Sequence, residues 1–264
     1  MSRYHILLKA ANVAALILAL SINVYFSSEH KKHSEGNITT SIHNNKTYPS
    51  THILPAGYTF GIWGLINTLL VGFVIYQWFE PANDVTVDGI RYYHVVVNVL
   101  NATWLIIWEN GYPLIDTFVI AALLAVLFLI YRNLSFYPPQ NLADRLFIHY
   151  PFTIYPAWIL IATILNVWVA VSALDTELFS AIIIIVIGLV GLCFVDFKHD
   201  IVFATTLAWS LVGIAVRQHE TLPVLVSASI STGLILGSIL REGIALCCSR
   251  HRDSVNERTH LLSP

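Results

Sequence analysis

Eight apolar runs, most of them close to the length that a helix needs to cross a lipid bilayer, dominate this sequence. A helix rises about 1.5 Å per residue, so roughly 20 apolar residues cross the hydrocarbon core. Only 11% of the residues are charged, whereas soluble domains contain about 25%. We therefore predict an all-α integral membrane protein with about eight transmembrane helices, at residues 6–26, 59–79, 93–109, 113–131, 152–173, 178–195, 201–216 and 221–241.

Three of these runs leave alternatives open. The first follows Arg3 and Lys9 and has the look of a signal peptide, but its apolar part is long and no clear cleavage site follows, which favours a retained helix. The runs at 178–195 and 201–216 are short and joined only by "DFKHD". They predict either a hairpin of two full spans or a pair of shallow helices.

Several function classes lack their sequence signatures. The net charge of -2 is too small to indicate a nucleic-acid partner, and the chain shows no Gly-rich phosphate loop or regular Cys and His spacing for a metal. Cys193, Cys247 and Cys248 offer no disulfide framework. No set of nucleophile, base and oxyanion donors can be assembled. We expect neither an enzyme nor a metal site, and no required cofactor.

Charge placement predicts the orientation of the helices. If the N-terminus is cytosolic and every run crosses, most of the 14 basic residues are cytosolic, as the positive-inside rule requires. The basic residues that remain on the other side are Lys31, Lys32, Lys46 and Arg217. This orientation places the polar loop 28–52 in the lumen, where two Asn-x-Thr sequons predict glycosylation at Asn37 and Asn45.

Polar residues inside the runs are expected to face the interior of the bundle, because a polar side chain without a partner is costly in lipid. They are Asn67, Asn98, Asn101, Glu109, Asp116 and Asn166. For the Asn residues, hydrogen bonds between helices are the alternative to a binding role. Glu109 and Asp116 flank "NGYPL" near the ends of two runs, where water can solvate them, so we interpret them as capping or interfacial groups.

Two of the runs pair Trp with Asn on one helical face. One face carries Asn101, Trp104 and Trp108, and the other carries Trp158, Ala162 and Asn166. Interfacial belts explain Trp residues near the ends of spans, but they explain Trp104 and Trp158 less well. Two such faces, one with a small Ala that lets a flat ligand approach, predict the walls of an intramembrane cavity.

The second run follows an unusual segment, "PAGYTFGIW". Helices accept Pro in the first turn and Gly where the backbone bends, so Pro55 and Gly57 let the chain turn into the membrane. Tyr58, Phe60 and Trp63 are then placed to line the entrance of the cavity. An aromatic anchor at the membrane interface is the alternative.

These motifs resemble the translocator protein, or tryptophan-rich sensory protein (TspO/MBR), family. In that family the second helix begins with Pro-Pro-Gly-Trp-x-Phe-Pro followed by Trp, the third carries Asn-x-x-Trp, and the fifth carries Trp-x-x-x-Ala-x-x-x-Asn. The matching residues are Pro55, Gly57, Tyr58, Phe60, Trp63, Asn101, Trp104, Trp158, Ala162 and Asn166. In this chain Ala56 and Gly61 replace prolines, Tyr58 replaces a Trp, and residues 178–241 add three spans that the five-helix family lacks.

The resemblance implies a sensor or carrier whose five-helix bundle binds a flat, apolar ligand, either a tetrapyrrole such as protoporphyrin or haem, or a sterol. Trp rings would stack on the ligand and Asn would bond its polar edge. The implied ligand-binding residues are Tyr58, Phe60, Trp63, Asn101, Trp104, Trp108, Trp158, Ala162 and Asn166. The alternative is an eight-helix secondary transporter of a small solute, although no repeat relates residues 6–131 to 132–241.

The last run carries a stripe of small residues, Ser229, Gly233 and Gly237, spaced four apart. Such a stripe permits close contact between helices. It predicts that this helix packs against its own bundle, with a homodimer as the alternative.

The C-terminal tail carries two address signals. Cys247 and Cys248 directly follow the last run, where palmitoylation is expected. Glu257, Leu261 and Leu262 look like the acidic dileucine signal that adaptor proteins read on cytosolic tails. We therefore expect an endosomal, lysosomal or vacuolar membrane, with both termini cytosolic. The chain divides into a first helix (1–27), a luminal loop (28–52), the rest of the TspO/MBR-like core (53–173), a three-helix extension (174–246) and a tail (247–264).

Overall fold

A computed structural model describes residues 3–33 and 50–262 of the chain. Within these ranges the protein forms eight long helices and no strand. The helices are α1 (Arg3–His33), α2 (Ile62–Tyr76), α3 (Tyr93–Glu109), α4 (Pro113–Leu134), α5 (Tyr150–Ala170), α6 (Glu177–Asp196), α7 (Ile201–Arg217) and α8 (Leu222–Leu262). The prediction of an all-α fold is confirmed.

Six segments of the described chain are long and apolar enough to cross a membrane. They are Arg3–Phe26, Gly57–Tyr76, Pro113–Leu134, Leu142–Ala170, Glu177–Asp196 and Leu222–Ala245. The two remaining long helices, α3 and α7, have 17 residues each, near the lower limit of the roughly 17–25 residues that span a bilayer. The protein is therefore a multi-pass membrane protein. Of the two runs predicted at 178–195 and 201–216, the first forms the full-length helix α6 and the second forms the shorter helix α7.

The first five helices form a closed ring. α1 packs against α2 and α3, α4 packs between α3 and α5, and α2 closes the ring against α5. Residues Gly57–Gly61 form a short 3₁₀ helix directly before α2. The interior of this ring is one apolar cluster that includes Ile66, Leu123 and Phe152.

The last three helices form a second group, in which α6, α7 and α8 all contact one another. α7 docks this group onto α5. One face of α5 therefore contributes Phe152 and Trp158 to the five-helix interior, and the other contributes Ile161 and Trp168 to the C-terminal interior. Since α5 separates the two interiors, a change in one region can reach the other through this helix.

The small-residue stripe of α8 does not face the bundle. Ser229, Gly233 and Gly237 are exposed, and a Cβ added at either glycine meets nothing within 4 Å. The adjacent face of α8 packs on α6, where Ser231 lies 2.6 Å from the position that a Cβ on Gly188 would occupy. The prediction that the stripe packs against its own bundle is therefore wrong. At the contact between α6 and α8, the glycines belong to α6, and side chains of α8 occupy the space beside them.

Candidate functional site

Five aromatic side chains from α2, its preceding 3₁₀ helix, α3 and α5 meet inside the five-helix ring. Trp63 stacks on Trp104, with ring centroids 6.1 Å apart and an angle of 22° between the planes. The same Trp63 ring meets Tyr155 at 5.7 Å and Trp158 at 6.4 Å, both in edge-to-face geometry. Phe60 packs edge-on against Trp158 at 5.5 Å. We call these five residues the aromatic cluster.

Burial divides the aromatic cluster into a wall and a rim. Trp158 and Tyr155 are almost fully buried, whereas Phe60, Trp63 and Trp104 are half-buried. The buried pair lies on α5, the helix most enclosed by the rest of the bundle. A ligand that reaches the rim therefore meets the stacked Trp63 and Trp104 rings first, with the α5 rings behind them.

Asn side chains surround the aromatic cluster. The indole N–H of Trp104 donates to Asn166 Oδ1 at 3.4 Å, a long bond. The amide of Asn166 donates in turn to the Ala162 carbonyl at 2.8 Å, one helical turn earlier. Asn101 Oδ1 accepts a bond from Asn23 of α1 at 3.4 Å. Four helices of the ring, α1, α2, α3 and α5, thus reach this site or the residues next to it.

Several buried polar atoms here have no hydrogen-bonding partner in the part of the chain that the structure describes. They are Trp158 Nε1, Asn101 Nδ2 and both carboxylate oxygens of Asp116. The Asp116 carboxyl lies beside the Trp104 indole, whose N–H donates to Asn166. Native proteins rarely leave such groups unpaired, so these atoms are available to bond an ordered water molecule or a ligand.

The structure brings together most of the residues that the sequence assigns to ligand binding. Phe60, Trp63, Trp104 and Trp158 form the aromatic cluster, and Asn101, Ala162 and Asn166 lie beside it. Trp108 is half-buried, one turn beyond Trp104 on α3. Tyr58 lies elsewhere: its ring is 49% exposed and packs edge-on against Trp209 of α7 at 5.5 Å.

The expectation that Glu109 and Asp116 face the interior of the bundle is confirmed, but the interpretation that water solvates them near the ends of their helices is wrong. Glu109 is 2% exposed and Asp116 is fully buried. A signal was present in the sequence, because Asp116 precedes Ile120, Leu123 and Leu127 on one helical face, and all three are fully buried. Tyr155 was absent from the predicted ligand-binding residues. Its spacing of three residues from Trp158 places both on one face of α5 and could have identified it.

Helix α7 holds the segment that leads into α2. The Ala56 N–H donates to the Gly213 carbonyl at 2.9 Å, and the Trp209 indole donates to the Thr59 carbonyl at 3.1 Å. Gly213 contacts the Thr59 side chain directly, in the space where a Cβ would lie. Gln218 donates to two more carbonyls of this segment. The C-terminal helices therefore position Phe60 and the start of α2.

A separate cavity of about 370 Å³ lies between the loops that precede α3 and α5. Asp84 and Asp144 line it, and no residue of the aromatic cluster does. Asp144 is buried, but both of its oxygens are bonded, by the Tyr76 hydroxyl at 2.7 Å and the Gln140 N–H at 2.8 Å. This cavity therefore lacks the unpaired buried groups that mark the aromatic cluster.

The fold and the site define a helical membrane protein with an aromatic and polar site inside a five-helix ring. The family model described as "TSPO-like protein" matches residues 9–241, and the chain belongs to this family. The match covers α2 to α7 entirely and extends into α8, so it includes the C-terminal helices as well as the ring. No curated protein and no solved structure matches the chain significantly. Membership confirms the resemblance stated from the sequence motifs, and it indicates a membrane-embedded ligand-binding or sensor protein.

Proposed function

We propose that this protein is a sensor or carrier that binds a flat, apolar ligand, a tetrapyrrole or a sterol, between α2, α3 and α5. The observation that carries the proposal is the contact of Trp63 with Trp104 and Trp158 at once, beside buried polar atoms that have no partner. Aromatic faces bind flat apolar molecules, and a few polar groups fix their orientation. Both elements are present in the aromatic cluster.

The stacked pair suggests how a flat ligand is accommodated. Two rings that sandwich a flat molecule lie roughly 7 Å apart, twice an ordinary contact distance. The Trp63 and Trp104 rings stack with their centroids 6.1 Å apart, so one ring must move outward to admit a ligand between them. Trp63 is the mobile partner in this proposal, because α2 packs less extensively against its neighbouring helices than the other ring helices do.

The test is a titration of the purified protein in detergent with protoporphyrin. Tryptophan fluorescence and the porphyrin absorption band are followed together, and cholesterol is added as a competitor. We expect saturable quenching in the wild type and about a tenfold or greater loss of affinity in Trp104→Leu, because a lost stacking partner costs about 1–3 kcal/mol. Because Trp104→Leu also removes one fluorescent side chain, the two proteins are compared by their dissociation constants and not by the size of the fluorescence change.

Trp78→Leu is the matched control. Trp78 is 45% exposed at the end of the α2 segment, away from the aromatic cluster, so its removal should leave the affinity unchanged. Quenching that never saturates, or an equal loss in both variants, would show that protoporphyrin partitions into detergent and does not occupy this site.

We further propose an endosomal, lysosomal or vacuolar membrane as the location, with both termini cytosolic. Support comes from Glu257, Leu261 and Leu262, and from the placement of basic residues. The helix α8 continues through Leu262, and Cys247 is exposed and free for palmitoylation. The sequon residues Asn37 and Asn45 lie outside the described residues.

Replacement of Leu261 and Leu262 with Ala in a fluorescently tagged protein tests the proposed membrane location. We expect redistribution to the plasma membrane or the secretory pathway, whereas mitochondrial wild-type protein contradicts the proposal. Endoglycosidase treatment tests the orientation in the same cells. The mass shift should disappear when Asn37 and Asn45 are both replaced with Gln, and a shift that survives would reverse the orientation.

A further inference from the structure

Asp116 is a carboxylate in an unusual place. It lies in the first turn of α4 and has no exposed surface, and neither of its oxygens has a hydrogen-bonding partner among the residues that the structure describes. Within the same residues, His52, His199, His219 and Arg241 form ion pairs with other carboxylates. An unpaired carboxyl inside a membrane bundle is costly, which makes such residues markers of function.

The surroundings of Asp116 favour a cationic partner. A cationic ligand would supply the counter-charge that the described residues of the bundle do not provide for this buried carboxyl. Its neighbour Trp104 belongs to the aromatic cluster, whose ring faces attract a cation. A carboxylate beside stacked aromatic rings therefore matches a flat cation, because the carboxylate supplies the opposite charge and the rings supply the stacking surface.

Other groups in the cluster cannot take this role. The Trp104 indole N–H is directed to Asn166, and the unpaired donors Asn101 Nδ2 and Trp158 Nε1 do not bond Asp116. The carboxyl groups of the second cavity differ, because Asp144 there is already bonded by Tyr76 and Gln140. Asp116 is thus a buried acceptor within the proposed ligand site that the protein itself leaves unused.

We propose that Asp116 selects, among flat ligands, those that carry a basic N–H group: an aromatic amine or amidine cation whose N–H groups donate to the carboxylate while its rings stack on Trp63 and Trp104. This inference rests on the proposed function, since it assumes that the aromatic cluster is the ligand site. The inference adds a charge requirement to the proposed class of flat ligands, because a neutral ligand of the same shape leaves the Asp116 carboxylate unpaired.

Two dyes of nearly identical shape test the inference. 9-Aminoacridine is a flat cation with N–H donors at neutral pH, and acridine is flat and neutral with an acceptor only. Both fluoresce, so the full-length protein in detergent can be titrated with each at the same pH. We expect the wild type to bind 9-aminoacridine about tenfold or more tightly than acridine, since a hydrogen bond to a charged group is worth at least that factor.

Asp116→Asn should abolish this preference, because the affinity for 9-aminoacridine should fall about tenfold or more relative to that for acridine. Asn keeps the shape of Asp and removes the charge, and size-exclusion chromatography checks that the variant is folded. Asp84→Asn, in the second cavity, is the matched control and should keep the preference. Loss of the preference in Asp84→Asn would place the cation in that cavity and overturn the assignment.

The outcomes separate this inference from the proposed function. A wild type that binds both dyes equally, or an Asp116→Asn variant that keeps the preference, overturns the role of Asp116 while saturable acridine or protoporphyrin binding leaves the ligand site standing. If neither dye nor protoporphyrin binds saturably, the proposed function fails as well. Because the wild-type preference needs no variant, a folding defect in Asp116→Asn does not prevent the test.

Discussion

Trp158 and Trp168 lie on the same helix, α5, and face opposite interiors. In the five-helix ring, the Trp158 indole N–H has no partner among the described residues. In the C-terminal group, the Trp168 indole donates to Ser180 Oγ at 3.0 Å. Both rings are almost fully buried. The two sites therefore differ in whether the indole N–H has a hydrogen-bond partner, and not in how far the ring is buried.

The same difference extends through both regions. Among the buried side-chain atoms without a partner in the described chain, Thr232 Oγ1 alone belongs to α6, α7 or α8. These helices instead pack closely through small residues, with Gly188 against Ser231 and Gly191 against Ile235. Close packing with satisfied polar groups is what a supporting scaffold requires. Unused polar groups among aromatic rings suit a ligand site, which is why we propose binding in the five-helix ring and support by the C-terminal helices.

The largest effect is expected where the scaffold is tightest. Gly188→Val should destabilise the protein by about 2–3 kcal/mol, because its side chain overpacks the contact with α8; a Cβ here already comes within 2.6 Å of Ser231. The midpoint of thermal unfolding in detergent measures the effect. Gly233→Val on the exposed face of α8, where a Cβ meets nothing, should change the midpoint little. Equal midpoints for the two variants would contradict the close contact of α6 and α8.

A change on α7 should connect the two regions. Gly213→Ala should cost about 1–2 kcal/mol by overpacking, because the added methyl group meets the Thr59 side chain, with Thr59 Cβ at 3.0 Å. It should also weaken protoporphyrin binding, since Thr59 precedes Phe60 of the aromatic cluster. Gly61→Ala, with nothing within 4 Å of its Cβ, is the control. Unchanged ligand affinity in Gly213→Ala would show that α7 does not position the site.

Paired substitutions on α5 should differ in how much stability they cost. Both substitutions shrink a buried ring and lose apolar contacts, but Trp158→Phe breaks no hydrogen bond, because the Trp158 N–H has no partner among the described residues. Trp168→Phe breaks a made bond and leaves Ser180 without its donor, which should cost about 1–2 kcal/mol. Thermal midpoints compare the two variants. A larger loss for Trp158→Phe than for Trp168→Phe would remove the distinction between the two interiors.

The smallest effect is expected at the junction of the two regions. His52 and Asp175 join the loop before α2 to the loop before α6, with Nδ1 and Oδ1 2.9 Å apart, and the His52 backbone N–H also donates to Oδ1 at 2.8 Å. Asp175→Asn keeps an acceptor for the backbone bond and removes the charge. It should cost about 0.2–1 kcal/mol, as partly exposed ion pairs do. A loss of several kcal/mol would assign this pair a structural role that its exposure does not suggest.

Much of the architecture was predictable because hydrophobic length is a direct physical requirement of the bilayer. The apolar runs predicted each long helix, and the i, i+3 and i, i+4 spacing of Trp and Asn predicted which residues share a face. The motif residues Trp63, Trp104 and Trp158, on three different helices, do meet. The direction in which Tyr58 and the α8 stripe point was not predictable in the same way.

The reason is that lipid and a protein interior are both apolar. In a soluble protein the polar face of a helix identifies the solvent side, but in a bilayer an exposed Leu and a buried Leu satisfy the same hydropathy. The sequence by itself therefore determined the helices, their approximate ends and the composition of the site. Only the packing of the helices decided how each one is rotated: that Gly233 faces outward, that Tyr58 meets α7, and that Asp116 is enclosed beside Trp104 with its carboxylate unpaired.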